Sequence, residues 1–372
     1  MRTLHRILMT ACLCLIGFAG MANRADAQVK TLKEEITGIA KEIQKTLEDE
    51  KQDSIAIGDF SGPTSIPTNF GPAIQKALSD ELLALKININ KKASLSVKGD
   101  YFRGDDPKNF DQRVVVNMAF RVHAANGKVK AEFSAEIKNN IEIAKMLGVT
   151  LNFPKKGDDE VRNEEIKKTL DNPTVHFEGS KVKVSRNGEF AAEILVKNSP
   201  AAKAFPRQMK EVEGQAFVPL DVKEIYQIKL INPTNFEVAV AVNIDGLDVF
   251  TFSQIKDPAT GRPKYSHFII PAGTDLIVYG WHKTNEVADS FLVTEYGQGA
   301  ASQAQIASGK VGVITLTYRS SGVVPDDLPQ DDGSKNAKIL ETGFGPPSKT
   351  NLKEFERKTG KVREIITIRY NR

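Results

Sequence analysis

Between Phe236 and Ile244 the side chains alternate: Phe236, Val238, Val240, Val242 and Ile244 interleave with Glu237, Ala239, Ala241 and Asn243. A period of two belongs to a β-strand with one buried face. Asp245-Gly246 follows at once, the dipeptide of a two-residue hairpin turn, and Leu247, Val249 and Thr251 return on the same face. A chain built around such a hairpin must supply a sheet for it. Candidate strands at Lys181–Val184, Phe190–Val196, Phe217–Leu220, Tyr226–Ile231, Phe268–Ile270, Asp275–Trp281, Ser290–Thr294 and Lys310–Tyr318 do so, with Gly and Pro between them. This is the pattern of a mainly antiparallel β-sandwich. We place it at 173–372, with a polar, acidic loop over 320–336, a short helix at Asn351–Lys358 and a closing strand at Glu364–Tyr370 that adds to the second sheet.

The first part of the chain has a different rhythm. Leu32, Ile36, Ile39, Ile43 and Leu47 form one helical stripe over 29–50. The spacing suits a helix packed on its own domain; a short coiled-coil seam is the alternative. A strand follows at Ser54–Phe60. A second helix, capped by Thr68 or Asn69 with Pro72 in its first turn, buries Ile74, Leu78, Leu82 and Leu85. Strands at Ala93–Tyr101, Val114–His123 and Val129–Ile137 come next, the last two joined at Asn126-Gly127. The expectation over 28–172 is a helix-on-mixed-sheet domain, and the whole chain reads as α+β. A charged connector at 148–175, with a short helix near Asn163–Leu170, is expected to run over the surface.

The N-terminal segment reads as an address label. Arg2 and Arg6 precede an apolar run, Ile7–Met21, and the small-x-small triplet Ala25-Asp26-Ala27. These are the parts of a secretory signal peptide over 1–27, with cleavage expected between Ala27 and Gln28. An exported protein, periplasmic or extracellular, is the resulting expectation. Both cysteines, Cys12 and Cys14, fall inside this segment, so the mature chain would hold no disulfide and no thiolate metal site. A lipoprotein with Cys12 as its lipidated residue is the weaker alternative. No later stretch approaches the roughly 18 apolar residues of a membrane helix. Fifty-one basic against 47 acidic residues leave a net charge of +4, too balanced for a nucleic-acid footprint.

Two stretches carry a family resemblance. SIAIGDFSG, FGPAIQKALSDELLALKI, KASLSVKGDY and RVVVNMAFRVHAANGKVKAEFSAEI, within about 29–147, resemble a bacterial envelope superfamily. It includes the curli secretion channel, the outer-membrane lipoproteins that activate penicillin-binding proteins, and the flagellar outer-membrane accessory lipoprotein. The resemblance implies an accessory or interaction role. It departs from the lipoproteins by lacking a clear lipidated cysteine, and from the channel by lacking lipid-facing hairpins. Downstream, YQIKLINPTNFEVAVAVNIDGLDVFTFSQ, FIIPAGTDLIVYGWH, FLVTEYGQGAAS and KVGVITLTYR resemble an uncharacterised β-sandwich of exported bacterial proteins.

Motifs for chemistry are sparse. His123, His176, His267 and His282 form no HExxH motif. His267 and His282 flank Pro271-Ala272-Gly273; in a hairpin around that turn they would stand roughly 13 Å apart or on opposite faces. Acidic groups at Asp105-Asp106, Asp158-Asp159-Glu160 and Asp326–Asp332 lack the spacing of a calcium loop. Gly343–Thr350 lacks the Gly before Lys of a phosphate loop, and its two prolines have no N–H to offer. The basic stretch Lys349–Arg372 reads as a solvated helix face and a charged strand edge, with contact to an anionic envelope polymer as the alternative. Trp281, Tyr265 and Tyr279 gather near one hairpin, as core or as a platform for sugars. The reading that results is a non-catalytic exported envelope protein needing no cofactor or metal. Its expected partner is an envelope protein or a cell-wall polymer, and a homo-oligomer is open to it. A carbohydrate- or peptidoglycan-associated module and a carboxylate-dependent hydrolase are the alternatives.

Overall fold

Helix α1 (Leu32–Asp49) begins at a capping box: the Thr31 hydroxyl accepts the Glu34 N–H while the Glu34 carboxylate accepts the Thr31 N–H at 2.7 Å. The computed structural model describes residues 30–62, 68, 70–104, 114–138, 140–153, 159–258, 261–294, 312–322, 343–354 and 357–370. The apolar stripe of α1 is wholly buried, together with that of α2 (Phe70–Ala84). Both helices lie on one face of a five-stranded sheet made of β1 (Ser54–Ser61), β2 (Asn88–Ile89), β3 (Leu95–Gly104), β4 (Val115–Ala124) and β5 (Val129–Ile137). The order is β2-β1-β3-β4-β5, with β1 parallel to β2 and β3 and the rest antiparallel. The stripe is therefore occupied within its own domain, and the coiled-coil alternative falls.

The segment expected to run over the surface does so only in its second part: residues 160–175, with the expected helix, are exposed or half-buried apart from Ile166, whereas 148–153 are mostly interior. Helix α3 (Asn140–Leu147), which the apolar pattern left unassigned, is followed by strand β6 (Leu151–Asn152) and helix α4 (Asp159–Asp171). The α3 helix ends in a Schellman turn: Val149 N–H reaches Ala144 O at 3.1 Å and Gly148 N–H reaches Lys145 O, with Gly148 at φ +66°. Val149, Thr150, Leu151 and Phe153 are then buried. They are interior because β6 pairs with the last strand of the chain, and Ala144, Leu151, Phe153 and Ile166 pack on Val362 and Ile365.

The remainder is a two-sheet β-sandwich. The nine-stranded sheet holds β7 (His176–Glu178), β8 (Lys181–Lys183), β9 (Ala191–Lys197), β10 (Phe205–Pro206), β13 (Ile225–Asn232), β17 (Thr274–Val278), β18 (Gly280–His282), β19 (Val287–Leu292) and β21 (Gly343–Lys349). The eight-stranded sheet holds β6 with β11 (Lys210–Val212), β12 (Gln215–Phe217), β14 (Val238–Ile244), β15 (Leu247–Asp248), β16 (Phe268–Ile270), β20 (Val313–Ser321) and β22 (Thr359–Arg369). The α+β class is thus observed: helices on a mixed sheet, then a mainly antiparallel sandwich. Between the two sheets, Tyr318 stacks on Phe190 at 4.6 Å and donates its hydroxyl to Ala191 O at 2.9 Å.

Two expectations are corrected here, and one strand is added. The turn at Pro271–Gly273 does not close a hairpin. β16 pairs with β14 and β17 with β13, so the chain changes sheets at this corner. Asn232 fixes it, its side-chain amide donating to the carbonyls of Phe236, Ile270 and Pro271 at 2.8–3.2 Å. Residues 351–354, 357 and 358 are not helical. Two N–H groups there are engaged elsewhere, Thr350 on Glu286 O and Leu352 on Asn285 O. Finally, Gly343–Lys349 forms β21 despite its two prolines. Its ladder runs to β19 alone among the described strands, an edge position that tolerates residues without an N–H. Ser320 and Ser321 of the expected polar loop end β20, and 323–336 lie outside the described residues.

Candidate functional site

The aromatic group near β18 is divided by the fold. Trp281 is fully buried, 0% exposed, and packs edge-on against Phe252 at 5.4 Å and Phe291 at 5.5 Å. An indole enclosed in this way has no face to lay on a sugar ring, so the platform reading fails at its largest member. Tyr265 is half-buried. Its hydroxyl donates to Glu354 Oε2 at 3.2 Å and accepts from Asn285 Nδ2 at 3.3 Å, and its ring meets Phe250 and His282. Tyr279 is half-buried at the break between β17 and β18. Burial lowers the pKa of His282, which shares a 3.3 Å hydrogen bond with Asn285. Among the described residues, no group of three or more His, Asp or Glu side chains is placed to hold a metal. Ala27, Gln28, Asp105, Asp106, Asp158 and Asp326–Asp332 lie outside the described residues.

The basic C-terminal stretch divides: Lys349 on the edge strand β21 and Lys353, Arg357 and Lys358 are exposed, as a solvated edge requires, whereas the part within β22 is interior. Strand β22 is central, bonded to β20 on one side and to β12 and β6 on the other. Arg363 forms a 2.7 Å ion pair with Glu189 and lies 4.7 Å over the Phe236 ring. Arg369 is buried and donates to Gln215 Oε1 at 3.0 Å and Leu147 O at 3.1 Å; desolvation pulls its pKa down to about 10. Arg363 and Arg369 are therefore internal fasteners and are not presented to an anionic polymer.

One surface open among the described residues is the outer face of the five-stranded sheet. Alternation along β3 sends Leu95, Val97, Gly99 and Tyr101 under the helices and turns Lys98, Asp100 and Phe102 outward. Phe102 is 51% exposed. Across the strands, Arg121 of β4 donates to Asp100 Oδ2 at 2.6 Å and to Glu132 Oε1 of β5 at 2.8 Å. Both carboxylates hold the Arg121 guanidinium more firmly protonated. The face carries both signs of charge in a fixed array with one exposed ring beside it. Sequence reasoning gave the alternation of these strands, but did not single out their polar residues as a surface.

No protein-family model matches the chain, and no curated protein matches it significantly. Among solved structures, a dodecamer of PelC from Paraburkholderia phytofirmans is similar to part of it, at 16% identity and a TM-score of 0.15, over 32% of this chain and 83% of that one.

Proposed function

We propose that this chain is an exported, non-catalytic binding or scaffolding protein of the bacterial cell envelope, and that it contacts an envelope protein through the outer face of its five-stranded sheet. The observation that carries the reading is the Asp100–Arg121–Glu132 array beside the exposed Phe102. A polyanionic polymer calls for a strip of one sign, whereas a mixed array with an aromatic contact suits a protein of matching mixed charge. The envelope resemblance of 29–147 and the signal-like segment over 1–27 support export. Photo-crosslinking in the native envelope tests this, with a photoreactive phenylalanine analogue at position 102. The expected result is one protein adduct in the envelope fraction, lost in Arg121→Glu while the far-UV spectrum is unchanged. An adduct with polysaccharide, no adduct, or full-length chain with 1–27 attached in the cytosol overturns it.

A further inference from the structure

A second surface lies at one end of the nine-stranded sheet. Phe205 is the most exposed large apolar side chain among the described residues, at 61%. It stands on β10, opposite Val196 near the end of β9. Val222, 50% exposed, lies on the turn that leads into β13. The first residue of β13, Ile225, pairs with Lys197, the last of β9. Phe205 and Val222 are therefore at the same end of the sheet. Hydrogen bonds fasten the two segments together. Just past β10, Arg207 N–H reaches Ile194 O at 2.8 Å, and the Arg207 guanidinium donates to Pro219 O at 3.0 Å and to Glu224 Oε1 at 2.6 Å. Arg207 thus grips both ends of the 219–224 turn. The turn is closed by Asp221 N–H on Glu224 Oε2 at 2.9 Å, and Lys223 N–H anchors it to Val293 O at 2.8 Å.

Positive charge gathers at the same end. From Ile194 to Lys210 the chain carries Lys197, Lys203, Arg207 and Lys210 and no carboxylate. Arg207 is matched by Glu224, and Lys210 departs into β11 of the other sheet. Lys197, Lys203 and Lys223 are left at the tip against Asp221. Lys203 Nζ lies 5.6 Å over the Phe205 ring. Lys197 Nζ donates to Pro200 O at 2.8 Å, which holds the connecting loop. That loop, 198–202, is exposed and made of small uncharged residues and a proline. Lys223 takes φ +74°, a conformation glycine adopts more cheaply, and sets its exposed side chain next to Val222.

One exposed apolar side chain is ordinary. An exposed ring and an exposed valine on fastened backbone, rimmed by three ammonium groups, suit the boundary between water and an anionic bilayer. There the apolar groups leave water for the headgroup and acyl boundary while the ammonium groups meet lipid phosphates. An acidic protein would also answer the lysines, but it would need a shaped pocket for the protruding ring. A bilayer takes the ring without one.

We propose that this tip docks on an anionic lipid bilayer, with Phe205 and Val222 entering the headgroup region and Lys197, Lys203 and Lys223 meeting lipid phosphates. The surface is separate from the outer sheet face and stands or falls without it. Fluorescence of the full chain carrying Phe205→Trp tests it, with vesicles of equal parts phosphatidylcholine and phosphatidylglycerol brominated on their acyl chains. The parent chain supplies the blank, because Trp281 is enclosed. The apolar run 7–21 is common to all the chains compared, so the readout is the position of the fluorophore. The expected result is a blue shift and quenching of the Phe205→Trp fluorophore, weakened by salt, with neither effect for Phe102→Trp. Adding Lys203→Glu and Lys223→Glu should raise the lipid concentration for half-maximal quenching by about tenfold or more, and adding Val222→Ser should raise it severalfold. All of these positions are exposed, so the fold is expected to survive each exchange, as far-UV spectra will check. Absence of quenching, equal quenching on vesicles of phosphatidylcholine alone, or quenching unmoved by the lysine exchanges overturns the proposal. If vesicles have no effect while soluble polyglutamate shifts the emission and the lysine exchanges abolish that shift, the tip takes an acidic protein and the bilayer is ruled out.

Discussion

Strands β4 and β20 look alike as strings of residues and end in opposite surroundings. In β4, Val116, Met118, Phe120 and Val122 point to the helices, and Asn117, Ala119, Arg121 and His123 point outward and remain partly exposed. In β20, Ile314, Leu316 and Tyr318 point into the sandwich, but the other set, Thr315, Thr317 and Arg319, is only 1%, 1% and 6% exposed. Alternation identifies one buried face and is silent about the second. What decides the second is whether a distant segment lies over it. On the eight-stranded sheet that segment runs from α3 through β6 to α4, with Thr150 Oγ1 accepting the Thr367 N–H at 3.1 Å and Phe153 N–H reaching Arg363 O at 2.9 Å. Among the described residues, no segment lies over the outer face of the five-stranded sheet in this way.

The sharpest way to break this comparison is to place the same charge on both outer faces. Thr315→Lys puts an ammonium beneath the α3–β6 segment and overfills a tight layer. Its cost is expected on the order of 5 kcal/mol. Ser134→Lys, on the outward side of β5 opposite Ala119, should change stability by no more than about 0.5 kcal/mol. Urea unfolding of the two variants reads the difference directly. Similar costs at the two sites would mean that β20's outer face is no more enclosed than β5's.

The next effect concerns the inner layer. Trp281 is the only tryptophan of the chain, and its ring fills the sandwich between Phe252 and Phe291. Trp281→Ala should cost about 4 kcal/mol through lost burial and the cavity left behind. The photo-adduct formed at position 102 should persist under conditions where the variant stays folded. A stable variant that had lost its adduct would restore Trp281 as a contact residue.

Much of this architecture was legible, and the failures share a physical cause. Strong periodicity located α1, α2 and β3 to β5 to within a few residues, because one buried face dictates their pattern. Helix α3 had a local signal, Asn140 at its start and Gly148 at its end, but its eight residues are too few for a periodic stripe to stand out. β21 was hidden by Pro346 and Pro347, which argue against a strand everywhere except at an edge. The corner at Pro271–Gly273 has the residues of a hairpin turn; only the Asn232 amide, 38 residues upstream of Ile270, reveals that it joins two sheets. The Asp100–Arg121–Glu132 array was legible only as three polar residues on separate strands; that they meet depends on the register of β3, β4 and β5, which no spacing rule supplies.

The smallest expected effect compares two glutamates on strands of different sheets. Glu132 stands in solvent on β5. Glu364 on β22 is fully buried opposite Tyr318, accepting the Glu189 N–H at 2.6 Å and the Phe190 N–H at 3.1 Å. These bonds tie the turn before β9 to the opposing sheet. Desolvation pushes the Glu364 pKa up to about 7 despite both donors, with the Glu189 charge adding to the rise and Arg363 opposing it. A carboxyl that is more basic when folded stabilises most where it is protonated in both states. Its contribution is complete below about pH 4.5, and it fades as pH rises through about 7. Glu364→Gln removes that titration and sets an amide N–H against one of the two donors. The substitution should therefore cost more at pH 4.5 than at pH 8, by on the order of 2 kcal/mol, as read from urea midpoints at the two values. Glu132→Gln on the open sheet serves as the control for general charge effects across the same window. A Glu364→Gln cost that stays level, or grows toward alkaline pH, would show that the two N–H donors outweigh burial and keep the carboxylate ionised within the sandwich.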